Sequence, residues 1–267
     1  MTDSQTDRLR ALHQSGTFVI PNPFDRGTAR LLAALGAQAL ATTSSGLAAS
    51  LGRLDMTISR DDLLRHVGEL ATATDLPLHV DAERGFAPDA AGVADTVRML
   101  AAAGASGCSI EDWDPATGAI DPLAVSVARV AAAVEAAKDH RLVITARCEH
   151  HIRGIDDLDA TIERLIAYRD VGAECLYAPG LVDPDQIRRV VQETAGAVNV
   201  LLLPGGPSVD ELAAIGVRRT SLGGRLYATA YGAAVEVART VLEGGGVAAD
   251  LPSLSRSLAT EAFGTEA

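Results

Sequence analysis

Aromatic residues are scarce in this chain: Phe, Tyr and Trp make up 3% of its 267 residues, with Trp113 the single tryptophan. Large planar side chains therefore cannot fill the interior, and Ala, Leu and Val must do so. Cysteine is scarce too. Cys108, Cys148 and Cys175 are an odd number at wide spacing with no CxxC, a pattern that reads as buried free thiols in a reducing compartment. Basic residues are outnumbered, with 23 Lys+Arg against 35 Asp+Glu and a formal charge of −12. No basic stripe exists to displace counterions from phosphates, which argues against nucleic acid as a partner. No run of 18 apolar residues occurs, and the opening MTDSQTDRLRALHQSG holds no apolar core of a signal peptide. Neither a membrane span nor export is expected, which leaves the cytoplasm as the default.

What is present is an ordinary globular composition, 48% hydrophobic and 22% charged. The length suits one large domain, and an α/β barrel typically needs about 250 residues. Eight short β-rich runs alternate with Ala/Leu helical patterns: 17–21, 37–43, 76–83, 106–111, 141–147, 174–178, 198–204 and 217–223. Between and after them lie helical stretches near 28–35, 60–74, 89–103, 122–138, 156–171, 184–195, 208–215 and 225–243. Several strands are announced by a helix ending in Gly: LeuGlyAla at 35–37, AlaGlyAla at 103–105, ValGlyAla at 171–173 and IleGlyVal at 215–217. Glycine past a helix end supplies the left-handed cap that turns the chain into the next strand.

Short strands, apolar on both sides and linked through helices, imply a parallel sheet covered on both faces. Eight such units fit an α/β fold of the closed (β/α)8 TIM-type barrel. An open doubly wound sheet would carry GxGxxG after its first strand, and PNPFDRG is not one. Residues 1–243 are expected to form the barrel. GGGVAADLPS at 244–253 reads as a flexible joint, SLSRSLATEAFG as a short terminal helix, and Thr265–Ala267 as a frayed end.

In such a barrel the chemistry lies at the carboxyl ends of the strands. There the sequence places Thr43-Ser44-Ser45-Gly46, Asp81-Ala82-Glu83, Glu111-Asp112 and Arg147-Cys148-Glu149, with Asp55 in the loop after the second strand. Asp81 and Glu83 are two apart, so on a strand they share a side. Any single carboxylate here could be a helix cap or a surface charge. Asp55, Asp81, Glu83 and Glu111 converging on one mouth could not all ionise without a cation. A hard divalent ion that keeps several waters is the economical answer. Arg147 either pairs with Glu149 or Glu111, or grips a substrate carboxylate. Ser44, Ser45 and Gly46 are either a turn or an array of donors for an anionic oxygen. His150 and His151 are either solvated loop residues or candidates for proton transfer.

These strings, taken in order, resemble the isocitrate lyase/phosphoenolpyruvate mutase superfamily, over roughly residues 15–243. PNPFDRGTARLLAALG is similar to its first strand, loop and helix. ATTSSGLAASLGRLD resembles its Ser-Gly-Leu segment and Gly-Arg-x-Asp turn. VDAERGFA resembles its acidic metal motif, with Glu83 where many members carry Asp; SIED and TARCE match the motifs after the fourth and fifth strands. The resemblance implies Mg2+, or Mn2+ in its place, held mainly through Asp81, Glu83 and Glu111, largely by way of waters, with Asp55 nearby. It implies that Ser44, Ser45, Gly46 and Leu47 bind a small α-oxo or α-hydroxy carboxylate, with Arg147 as its clamp. It also implies chemistry through an enolate, and a homodimer or homotetramer that exchanges the last barrel helix.

The segment after the fourth strand departs from that pattern. Carbon–carbon lyases of the superfamily carry Lys/Arg-Cys-Gly-His there, and phosphonate-handling members a Lys and an Asn. Residues 112–121, DWDPATGAID, contain no Lys, Cys or His. Proton transfer is then expected from Glu149, Tyr177 or a metal-bound water, and Trp113 acts as an apolar lid or a packing anchor. The expected activity is that of a Mg2+-dependent carbon–carbon lyase. The alternatives are a phosphonomutase or phosphonopyruvate hydrolase, and a non-catalytic ligand-binding barrel.

Overall fold

The computed structural model describes residues 4–248, 251 and 253–264; the expected frayed end, Thr265–Ala267, lies outside them. Among the described residues ten strands occur, in chain order: β1 (Phe18–Ile20), β2 (Leu40–Ala41), β3 (Leu78–Asp81), β4 (Gly107–Glu111), β5 (Trp113–Asp114), β6 (Ala119–Ile120), β7 (Val143–Arg147), β8 (Cys175–Tyr177), β9 (Ala197–Leu201) and β10 (Arg219–Ser221). Eight form one parallel sheet ordered β1-β10-β9-β8-β7-β4-β3-β2. Ala41 N–H donates to the Pro21 carbonyl at 3.0 Å, which brings the two ends of the sheet together. The result is a TIM-type (β/α)8 barrel.

Eight helices follow the barrel strands in turn: α2 (Arg26–Ala34), α4 (Arg60–Ala71), α5 (Ala90–Ala102), α6 (Leu123–Ala137), α7 (Leu158–Asp170), α8 (Pro184–Thr194), α9 (Val209–Ile215) and α10 (Arg225–Leu242). Their starts are chemically marked. Asp25, Ser59 and Ser208 make reciprocal capping boxes with Thr28, Asp62 and Glu211, satisfying N–H groups that a helix leaves open. The four helix-ending glycines singled out in the sequence, Gly36, Gly104, Gly172 and Gly216, all have positive φ. That conformation is what turns each helix back into a strand.

Two apolar clusters lie between strands and helices, one around Leu63, Val80, Val97 and Ile110, the other around Leu165, Leu176, Val190 and Val217. A third, containing Leu9, Phe18, Ile20 and Val143, gathers around the amino-terminal helix α1 (Gln5–Leu12) and the starts of the strands. The core is aliphatic, as the low aromatic content requires.

Four local features differ from the sequence reading. Helix α1 formed no part of that reading. Ser44–Ser50 is a short helix, α3, rather than a turn. Glu83 lies beyond the end of β3 in a left-handed conformation, φ 46°, so it reaches the site through a backbone turn and not through strand alternation. Residues 113–120 are an antiparallel hairpin, β5 with β6. Trp113 is half-buried in it under the Arg153 guanidinium, 4.2 Å from the ring centre, an anchored position. Beyond the barrel, α11 (Arg256–Phe263) packs against α2.

Candidate active site

A cavity of about 170 Å³ opens at the carboxyl ends of the strands. Ser44, Ser45, Asp55, Asp81, Arg147 and Tyr177 line it. Glu83, Glu111 and Glu149 sit behind that wall, at most 7% exposed. Gly46 is within α3, where a Cβ would meet the Thr43 methyl at 2.6 Å and Phe24 at 3.1 Å. Leu47 is buried in the aliphatic core. Neither Gly46 nor Leu47 lines the cavity, so their part is to seat α3 against its neighbours.

Arg147 is the centre of the arrangement. Its guanidinium meets Asp81 at 2.8 Å, Glu149 at 2.9 Å and Glu111 at 3.1 Å, and the Tyr177 ring at 5.3 Å to the centroid. Both sequence alternatives for pairing are thus realised together, and the third partner, Asp81, comes from another strand. Once Glu83 is counted, Arg147 faces four carboxyl groups, with Arg153 reaching only Glu149 at 3.8 Å, and burial makes that imbalance costly. The Glu83 carboxyl is pushed up to about 8, by burial first and then by Asp81 and Asp55. Glu111 is pushed well above the usual carboxylate range by burial, against the pull of Arg147. Glu149 moves the same way for the same reason.

Two oxygens carry particular weight. Oε1 of Glu83 and Oε1 of Glu111 are buried with no hydrogen-bond partner, a state that buried polar atoms rarely hold. Among the described residues no three Asp, Glu, His or Cys side chains are grouped to hold a metal ion directly. An all-oxygen set with raised proton affinity and unpartnered oxygens suits a hard cation that retains its own waters.

The remaining polar contacts shape the wall. Ser44 N–H donates to Asp81 at 3.2 Å, and the Thr43 and Ser45 hydroxyls are 3.0 Å apart. Burial pushes the Tyr177 hydroxyl up to about 12, so it holds its proton at neutral pH. Asp112 points away from the cavity, accepting from Tyr168, Arg164 and the Glu149 N–H. His150 bonds Thr161 and, like His151, is absent from the cavity wall. The three cysteines are buried free thiols.

Several cavity residues escaped the sequence reading. Asn22 accepts from Leu222 and Gly223 N–H groups and donates to the Thr42 carbonyl, joining three loops at the mouth. His79, Asn199 and Arg219 line the cavity lower in the barrel. The signal available for them was alternation: each stands two residues before a mouth residue on its strand, as in His79 before Asp81 and Arg219 before Ser221.

A family model described as phosphoenolpyruvate phosphomutase matches residues 9–242. The chain belongs to that family. It is 36% identical to the 2-methylisocitrate lyase of Escherichia coli (strain K12) over 202 residues, covering 72% of this chain and 66% of that lyase. Among solved structures, a candidate lyase/mutase from Burkholderia cenocepacia J2315 superposes with TM-score 0.92 at 44% identity, covering 97% of this chain and 95% of the other. A phosphonopyruvate hydrolase in complex with oxalate and Mg2+ superposes with TM-score 0.84 at 27% identity, covering 98% and 95%. These relatives place the chain among the lyases and mutases of the isocitrate lyase/phosphoenolpyruvate mutase superfamily.

Proposed function

We propose that this family member is a Mg2+-dependent enzyme that forms or breaks a carbon–carbon bond next to the α-carbon of a small α-oxo or α-hydroxy carboxylate. The observation that carries this reading is the pair of buried, unpartnered oxygens on Glu83 and Glu111 beside the Arg147 cluster and the cavity. Asp81, Glu83 and Glu111, with Asp55 at the mouth, would hold the ion. When bound, it supplies Lewis-acid polarisation of the substrate's α-oxygen.

The protein's own groups have separable tasks. Arg147 keeps Asp81, Glu111 and Glu149 oriented, and the small part of its guanidinium facing the cavity attracts a carboxylate. The Ser44 and Ser45 side chains add polar contacts on the same wall. Tyr177 lines the cavity with its hydroxyl protonated, so it is the proton donor in reach of a ligand. Glu149 is enclosed by Arg147 and Arg153 and orients the Arg147 guanidinium rather than touching a ligand. The fastened hairpin at 113–120 offers no thiol, amine or imidazole, and so the chemistry relies on the barrel itself.

A second reading, cleavage of a phosphorus–carbon bond, draws on the likeness to phosphonopyruvate hydrolase. In EDTA-stripped protein, Mg2+ or Mn2+ should raise the melting temperature, and oxalate, an enolate mimic, should raise it further. No shift with either would remove the enolate reading and leave a non-catalytic barrel. Pyruvate or glyoxylate release from 2-methylisocitrate- or dimethylmalate-like compounds would separate carbon–carbon from phosphorus–carbon chemistry, and product from phosphonopyruvate alone would reverse the order of the two.

The assembly proposed is a homodimer or homotetramer formed through α10. None of the 18 residues of α10 is buried, and Tyr231, Val235, Val241 and Leu242 are exposed on it. Sedimentation equilibrium tests this, and a monomer at micromolar concentration would refute it.

A further inference from the structure

TIM-barrel lumens are normally filled by layers of branched aliphatic side chains. Here the layer beneath the candidate site is polar. Arg219 of β10 is 3% exposed within it. Its Nε donates to Asn199 at 2.9 Å, one Nη to His13 at 3.2 Å and the other to Thr145 at 3.1 Å. All three partners are neutral. His13 offers a bare Nε2, because its Nδ1 bonds the Leu9 carbonyl. Burial and the nearby Arg219 charge hold this imidazole neutral. Thr145 Oγ1, which accepts from Arg219, also lies 2.9 Å from His79 Nε2, and burial with the nearby Arg219 charge holds that imidazole neutral as well. No carboxylate pairs with Arg219 among the described residues. Three of its five N–H donors are engaged, and the side chain forms part of the cavity wall together with Asn199, His79 and Ser109.

A buried guanidinium with only neutral neighbours is an expensive element, because no counter-ion offsets its desolvation. Its neighbours are also oriented, every acceptor turned toward it, so the charge is held in place rather than hidden. We infer that Arg219 is an anion subsite at the floor of the cavity, and that it takes a second carboxylate of the substrate while the α-oxo or α-hydroxy carboxylate end lies above it beside Asp81 and Arg147. The inference rests on the proposed function and narrows its substrate class to short dicarboxylates. The spacing agrees. Thr145, which bonds Arg219, stands two residues before Arg147 on β7, a rise of about 7 Å, which a short dicarboxylate can span.

The test is calorimetry on the Mg2+-loaded full chain with oxalate, lactate and malate, the last being lactate with one added carboxylate. Malate should bind the wild type at least about tenfold more tightly than lactate, the worth of one charge-assisted pair. Arg219→Gln should abolish that ratio and leave oxalate affinity unchanged. Should Arg219→Gln not fold, Asn199→Ala, which removes the acceptor for Nε, should weaken malate without weakening oxalate. Equal malate and lactate affinities in the wild type, a ratio that survives Arg219→Gln, or equal losses for oxalate and malate in the variants would each overturn the subsite. Failure of oxalate to bind the wild type would instead remove the underlying site, a distinct result from oxalate binding without preference for malate.

Discussion

Arg147 and Arg219 are both buried arginines facing the interior of one barrel, yet their surroundings are opposite. Arg147 has three carboxylates within 3.1 Å and a fourth, Glu83, nearby. Arg219, one layer lower, has an amide, a hydroxyl and an imidazole. The upper layer holds more carboxyl groups than its cation can balance, and burial pushes Glu83, Glu111 and Glu149 toward the protonated form. The lower carries a positive charge with no balance at all. A barrel that served only as a scaffold would gain from pairing these charges internally. Keeping them apart leaves the upper layer attractive to a cation and the lower one to an anion, along one continuous cavity.

The sharpest way to break this comparison is to delete each cation in turn. Arg147→Met should cost about 3–5 kcal/mol at pH 8, because it strands buried carboxylates. Arg219→Met strands none and should cost clearly less, and urea denaturation of the two variants would show whether that order holds. The next effect concerns pH. In the unfolded chain Glu83 titrates near 4.5, and in the fold near 8. Between those values the folded state holds a proton the unfolded state has released, so its contribution to stability falls as pH rises from about 4.5 to about 8, by a few kcal/mol in all. Glu83→Gln should flatten that part of the curve in metal-free protein, and a variant curve as steep as the wild type's would clear Glu83 of the effect.

Mg2+ comes third in size. At 100 times its dissociation constant it should add about 2.7 kcal/mol, and Asp81→Ala should erase that gain with the fold retained; a gain preserved in the variant would mean that Asp81 is not part of the ion's environment. Proton release on Mg2+ binding should accompany the effect at pH 7, since the Glu83 carboxyl is pushed up to about 8 without it and burial shifts Glu111 in the same direction. The smallest effect belongs to the hairpin. Arg153→Ala removes the cation stacked on Trp113 and should cost about 0.5–1 kcal/mol, visible as faster amide exchange at 113–120.

Much of the barrel was legible because its signals are local. Apolar β-rich runs and positive-φ glycines are written in consecutive residues, and the eight observed barrel strands each fall within or one residue outside the expected runs. The acidic residues of the upper layer were legible for a related reason: a strand's carboxyl end can be located from the strand alone. Glu83 was placed beside Asp81 by an argument from alternation, whereas a left-handed turn is what brings it there. The hairpin at 113–120 was hidden because its two strands are two residues each, too short for periodicity to register.

The lower layer was illegible for a deeper reason. Arg219 in the string VRRTSLGG looks like one more surface arginine, and its half-buried neighbour Arg218 bonds the Gly16 carbonyl. Which of the two faces the lumen depends on strand register, and what Arg219 meets there comes from the residue capping α1, from β7 and from β9, as many as 206 residues away. From its sequence alone this protein was bound to be an alternating α/β chain with acidic strand ends, because hydrophobic patterning, helix caps and glycine positions act over a few residues. Only barrel closure decided that three carboxylates meet one arginine with a fourth beside them, and that a second arginine lies below with none, because the balance of buried charge depends on which distant side chains the fold brings within a few ångströms.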